Sequence, residues 1–99
     1  MMEIGIEKNG NTLEIKLTDR LDTVTSPQLE EKLKKELEGV TELRFDFAEL
    51  EYISSAGLRV LLTASKKMKK QGKMEIHNVN EEVMEVFTIT GFADILTIL

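Results

Sequence analysis

The dipeptide Asn9-Gly10 does more than any other feature to limit what this chain can fold into. It follows Ile4, Ile6 and Lys8 and precedes the strict alternation Leu13, Ile15, Leu17. Asn-Gly accepts the positive φ that both central positions of a type I′ turn require, and a period of two gives the second strand one apolar face. The chain is therefore expected to open with a β-hairpin whose second strand covers about residues 11–18, with Glu14, Lys16 and Thr18 facing away.

The periodicity then changes. Ser26-Pro27 joins an N-cap hydroxyl to a proline at the first helical position, and Leu29, Leu33 and Leu37 follow on one face. This predicts a helix over about 27–38, with Gly39 free to close it in the left-handed conformation. Leu43, Phe45 and Phe47 alternate with Arg44 and Asp46, a strand over 42–47, and a loop is expected at 48–54. Beyond Gly57, Leu58, Leu61, Leu62 and Met68 recur at helical spacing as far as Gln71-Gly72. Met74 and Ile76 suggest a short strand, and Val83, Met84, Val86 and Phe87 a third helix. Ile95, Leu96 and Ile98 suggest a last extended or helical segment.

The order β-β-α-β-α-β-α-(β) predicts an α/β domain over 1–99, with a mixed sheet of four to five strands, helices, and right-handed crossovers. A crossover makes the strands at 11–18 and 42–47 parallel, so both deliver their loops, 19–25 and 48–55, to one edge of the sheet. Parallel sheets commonly carry their sites at that edge.

Composition removes several function classes. A chain of 99 residues, 41% hydrophobic, suits one compact core. There is no cysteine and a single histidine, His77, so neither a thiolate metal site nor an imidazole cluster is available, and no cofactor or metal is expected. No basic leader opens the sequence and no apolar run approaches the ~18–20 residues that span a bilayer, which makes the cytoplasm the expected location and a membrane role unexpected. Net charge −5 disfavours nucleic acid. Lys66, Lys67, Lys69 and Lys70 gather where a helix is expected to end, and cations there meet exposed carbonyls favourably.

The segment with most chemistry runs from Asp46 to Leu58, because Ser54, Ser55 and Gly57 sit where a helix begins. A phosphate on either serine would meet the electropositive helix end. An ordinary N-cap, worth about 1 kcal/mol, is the plainer reading of the same residues, and local chemistry leaves both open.

The succession of an acidic strand end, a loop, Ser54-Ser55-Ala56-Gly57-Leu58 and an amphipathic helix resembles the anti-sigma factor antagonists of the STAS domain family. Leu21-Asp22 ahead of Ser26, Gly72-Lys73-Met74-Glu75-Ile76 and Thr90-Gly91-Phe92 extend the similarity over nearly the whole chain. The resemblance implies a protein-binding module whose partner is an anti-sigma factor with serine kinase activity. The unphosphorylated form would bind that partner and release a sigma factor, and a phosphatase would reset the module. Aligned on Gly57-Leu58, the phosphorylated serine falls on Ser55, with Ser54 in the place of the family's usual aspartate and Ala56 in that of a second hydroxyl; Ser54 is thus an alternative acceptor. Asp22, Thr23, Ser54, Ser55, Ala56 and Gly57 are the implied partner-binding residues, and Asp46 matches the polar end of the strand.

Two other readings compete. A serine-dependent enzyme would need a base to activate its nucleophile, and the Gly-x-Ser-x-Gly elbow is absent. A STAS scaffold or sensor in a different regulatory assembly would share the fold, which by itself does not choose a partner.

Overall fold

The computed structural model describes residues 2–99; Met1, part of the expected domain, lies outside the described residues. Its elements are β1 (Ile4–Asn9), β2 (Thr12–Leu21), α1 (Ser26–Glu36), β3 (Glu42–Ile53), α2 (Ser55–Gln71), β4 (Lys73–His77) and α3 (Glu81–Thr90), followed by a 3₁₀ turn at Phe92–Asp94. The four strands stand side by side in sequence order. β1 is antiparallel to β2, and β2, β3 and β4 run parallel, so the single α/β domain has the mixed sheet and opening hairpin that the pattern predicts.

The turn of that hairpin is displaced from its expected place. Asn9 pairs with Thr12, which makes Gly10-Asn11 the two-residue loop, and only Gly10 takes a positive φ, 61°. Glycine at the first central position is the type II′ form. Hydrophobic pairing does not choose between the two registers, since both set Ile4 and Ile6 opposite apolar residues. The observed one lets the Asn11 carbonyl accept the N–H groups of Thr41 (2.9 Å) and Glu42 (3.2 Å) at the start of β3.

β2 and β3 are longer than the alternation implies. β2 runs on to Leu21 and β3 to Ile53, so the expected loop at 48–54 is mostly strand. The reason is a pair of bulges: the register shifts between Lys16 and Thr18 and again between Asp19 and Arg20, where Asp19 takes φ 65°. Beyond Phe47 the buried residues of β3 are Leu50 and Ile53, three apart and no longer two. The edge loops thereby shrink to 22–25 and Ser54.

One face of the sheet is apolar and the other charged. Leu13, Ile15, Leu17, Leu43, Phe45, Phe47, Met74 and Ile76 are buried in the core, which also takes in Leu29 and Leu33 of α1, Leu58, Leu61 and Met68 of α2, and Val83 and Phe87 of α3. Each such side chain contributes about 1.5–3 kcal/mol by leaving water. The opposite face carries Arg44 and Lys73 in ion pairs with Glu42 and Glu75, 3.3–3.8 Å apart and partly exposed.

Side chains that the periodicity does not reveal fasten the helix ends. The Gln71 amide donates to the carbonyls of Leu37 (2.9 Å) and Val40 (2.7 Å), tying the end of α2 to the end of α1. Gly72 has an extended φ of 172°; it is needed there because any Cβ would run into the Thr41 carbonyl. Asn80 caps α3 by accepting from Val83 N–H (2.8 Å) and donates to the Leu50 carbonyl (2.8 Å), which ties that helix to β3. At α1 the expected cap is corrected: Thr25 holds the N-cap position and Ser26 lies inside the first turn, its hydroxyl buried without a partner among the described residues. In the final segment Ile95 and Leu96 form a turn, and Ile98 makes a single parallel bridge to Ile76 without adding a strand to the four-stranded sheet.

Candidate functional site

Two connections meet at the edge where β2 and β3 end. The first, residues 22–25, is held by a reciprocal pair. Asp22 Oδ1 accepts the N–H groups of Val24 (3.0 Å) and Thr25 (3.1 Å), while the Thr25 hydroxyl accepts the Asp22 N–H (2.8 Å). That hydroxyl also donates to the Arg20 carbonyl (2.8 Å), and Thr25 is buried. The hydrogen bond from the Thr25 N–H, opposed by partial burial and aided by Val24, the Thr25 hydroxyl and Arg20, holds the Asp22 carboxyl below its ordinary value. Asp22 Oδ2 lies 3.7 Å from Arg20 Nε, and the Arg20 guanidinium stacks over Tyr52 at 4.4 Å. Thr23 and Val24 stand exposed on this fastened turn.

The second connection is Ser54. Its N–H donates to the Leu21 carbonyl (2.9 Å), the residue before Asp22, and its own carbonyl accepts the Leu58 N–H (3.0 Å), starting α2. Ser54 occupies the N-cap position, yet its hydroxyl makes no capping bond and is buried without a partner among the described residues. Ser55, the first residue of α2, is exposed, and Ala56 is half-buried. Gly57 is buried: a Cβ there would stand 2.8 Å from both Ile53 Cγ1 and Leu21 Cγ. Its bareness lets α2 settle against the ends of β2 and β3.

The structure thus brings Asp22, Thr23, Ser54, Ser55 and Ala56 to one edge. Asp46 is not with them. It sits in mid-strand where the bulge forms, and six residues of extended chain lie between it and Ile53, a span of roughly 20 Å. Its Oδ1 accepts from Asn78 Nδ2 (3.0 Å) and Ala48 N–H (2.9 Å), and these bonds hold its carboxyl below the ordinary value. His77 pairs in register with Asp46 and contacts Glu75 Oε1 at 3.1 Å, so it too belongs to the charged face. Thr25, Arg20 and Tyr52 are the site residues that sequence reasoning missed. The spacing Asp22-x-x-Thr25 was the available signal for the first, since reciprocal side-chain and backbone bonding at that interval is the logic of a capping box.

Fold and edge together define a small two-layer α/β module that presents the exposed Ser55 beside a fixed acidic turn. Residues 3–99 match the family model described as the STAS domain, and the chain belongs to that family. A relative from Bacillus subtilis, an anti-sigma-B factor antagonist, is 31% identical over 98 residues, covering 98% of this chain and 90% of its own length. Among solved structures, an anti-sigma factor antagonist from Mycobacterium paratuberculosis superposes with a TM-score of 0.89 at 18% identity, over 99% of this chain and 85% of that one. The Bacillus cell fate determinant SpoIIAA in its phosphorylated form gives a TM-score of 0.77 at 20% identity, over 98% and 91% respectively. At such identities the structural likeness concerns the fold.

Proposed function

We propose that this chain is an anti-sigma factor antagonist, a cytoplasmic binding module without catalysis of its own, switched by phosphorylation of Ser55. Unphosphorylated, it binds an anti-sigma factor that is also a serine kinase, and the sigma factor is released. The kinase moves the γ-phosphoryl of ATP onto Ser55 Oγ as ADP leaves and the hydroxyl proton departs; a phosphatase reverses the state. The role named for the Bacillus subtilis relative supports this reading, and the observation that carries it is the contrast between two adjacent hydroxyls. Ser55 is open to a kinase, whereas Ser54 Oγ is shut from solvent.

The switch is electrostatic. A phosphate brings about −1.5 to −2 charges at pH 7, yet at a helix N-terminus it gains roughly 0.3–1 kcal/mol, so the fold tolerates it. A partner that covers Ser55 and the 22–25 turn would bury that dianion beside Asp22, and burial of a charge that is not fully paired costs several kcal/mol. Each 1.4 kcal/mol is about tenfold in affinity, so binding should weaken by roughly a hundredfold or more. Calorimetric titration of the anti-sigma partner with both forms tests this, and equal affinities would refute it. Ser55→Asp should reproduce the loss only in part, having less charge and fewer acceptor oxygens. Ser55→Ala should abolish the mass gain on incubation with kinase and ATP.

A further inference from the structure

We infer that Arg59 is the internal ligand of the phosphate on Ser55. The inference rests on Ser55 being the phosphorylated residue. Arg59 lies one turn further along α2, and helix residues four apart share a face, with Cβ atoms about 5–6 Å apart. The order is the favourable one, anion before cation.

The three arginines of the chain differ in how they are occupied. Arg20 is stacked on Tyr52 and paired with Asp22, and Arg44 is shared between Glu42 and Glu75. Arg59 is exposed, and among the described residues its guanidinium has no ion-pair, hydrogen-bond or ring partner. Its own helix offers it no acid: the residues three and four away on either side are Ser55, Ala56, Leu62 and Thr63. Leu58, between Ser55 and Arg59, is turned into the core and leaves the outer face clear. An idle guanidinium therefore stands one turn from a hydroxyl, and it acquires an anion to bind only when that hydroxyl is phosphorylated. The planar fork of arginine suits two phosphate oxygens at once.

The consequence reaches the partner twice. In the unphosphorylated form the edge displays a free cation beside Ser55. Phosphorylation adds a dianion and in the same step folds the cation onto it, so a partner that had met Arg59 loses that contact as it meets the phosphate.

The test uses full-length protein with phosphoserine installed at position 55 during translation, so it needs no kinase. The second ionisation of the phosphate is followed by ³¹P NMR titration in the parent, Arg59→Gln and Arg59→Lys proteins. Since one pKa unit is 1.36 kcal/mol, an ion pair of helix strength lowers the parent value by about 0.2–0.4 unit relative to Arg59→Gln. Arg59→Lys, which keeps the charge without the fork, restores part of that difference. The helix N-terminus acts on all three proteins alike and cancels. Equal values for the parent and Arg59→Gln overturn the inference, and so does a difference that Arg59→Lys leaves wholly unrestored, because charge would not carry it. Failure of the switch itself would appear elsewhere, as equal partner affinity of the two forms, with the ionisation difference intact.

Discussion

α1 and α2 begin at the same edge of the sheet, each behind a hydroxyl residue, and the two starts are built in opposite ways. Before α1 the hydroxyl of Thr25 is fully engaged, with Arg20, Asp22 and its own turn. Before α2 the hydroxyl of Ser54 bonds to nothing, and the next residue, Ser55, is exposed. Neither hydroxyl bonds an N–H of its own helix, so the difference lies in the chain before it: Thr25 is tied back to Arg20 and Asp22, and Ser54 is not. The fastened start is scaffold, while the unfastened one leaves its first turn available to a group that arrives later. α3 alone of the three helices has an N-cap side chain bonded to one of its own N–H groups, Asn80 to Val83.

The largest effect expected from breaking this contrast comes from Thr25→Val. It deletes a buried hydroxyl and strands the Asp22 N–H and the Arg20 carbonyl, which should cost about 2 kcal/mol. Urea unfolding of the two proteins measures it. A loss under about 0.5 kcal/mol would mean that something other than this hydroxyl fixes the turn.

A smaller and more local effect follows from acidity. The Asp22 carboxyl ionises below its ordinary 3.8 in the folded protein, so its contribution is present above that pH and is lost as the pH falls through the lower folded value. Asp46 and Glu75 are also held low, the first mainly by Asn78 and the second mainly by His77, so global stability mixes three carboxyls. The amides of Val24 and Thr25 isolate the first of them. Their hydrogen exchange should quicken below about pH 4, after correction for intrinsic rates, while the Ser54 amide, bonded to the Leu21 carbonyl, should not follow. A joint response of all three amides would merge the two regions into one unit.

The same contrast separates what the sequence could disclose from what it could not. The hairpin, three helices and parallel crossovers were legible because each repeats an apolar residue at a fixed interval, as Leu29, Leu33 and Leu37 do. The far half of β3 was not, because a bulge changes the interval between buried residues from two to three, and Leu50 and Ile53 then match no strand pattern. Position at the edge was legible for Asp22 and Ser55, since parallel strands deliver their loops together. Engagement was not. Nothing in Ser26-Pro27 or Ser54-Ser55 says which hydroxyl will be bonded, exposed or shut in, because that depends on backbone arriving from Leu21 and Arg20.

The smallest predicted effect is also the one that sharpens the comparison most. At an ordinary N-cap, serine to alanine costs about 1 kcal/mol because a capping bond is lost. Ser54 makes no such bond, and its hydroxyl is buried without a partner, a state that costs roughly 1–3 kcal/mol relative to water. Ser54→Ala removes that penalty and gives back part of the gain through lost packing around the missing oxygen. The net expectation is a stabilisation of about 0.5 kcal/mol, opposite in sign to the usual result. Phosphate incorporation at Ser55 should continue in the same variant, because the acceptor and its exposure are untouched. Urea unfolding and intact mass after kinase treatment read the two outcomes separately. A destabilisation near 1 kcal/mol would show that Ser54 caps α2 in solution and would remove the difference between the two helix starts. Loss of labelling would move the acceptor from Ser55 to Ser54.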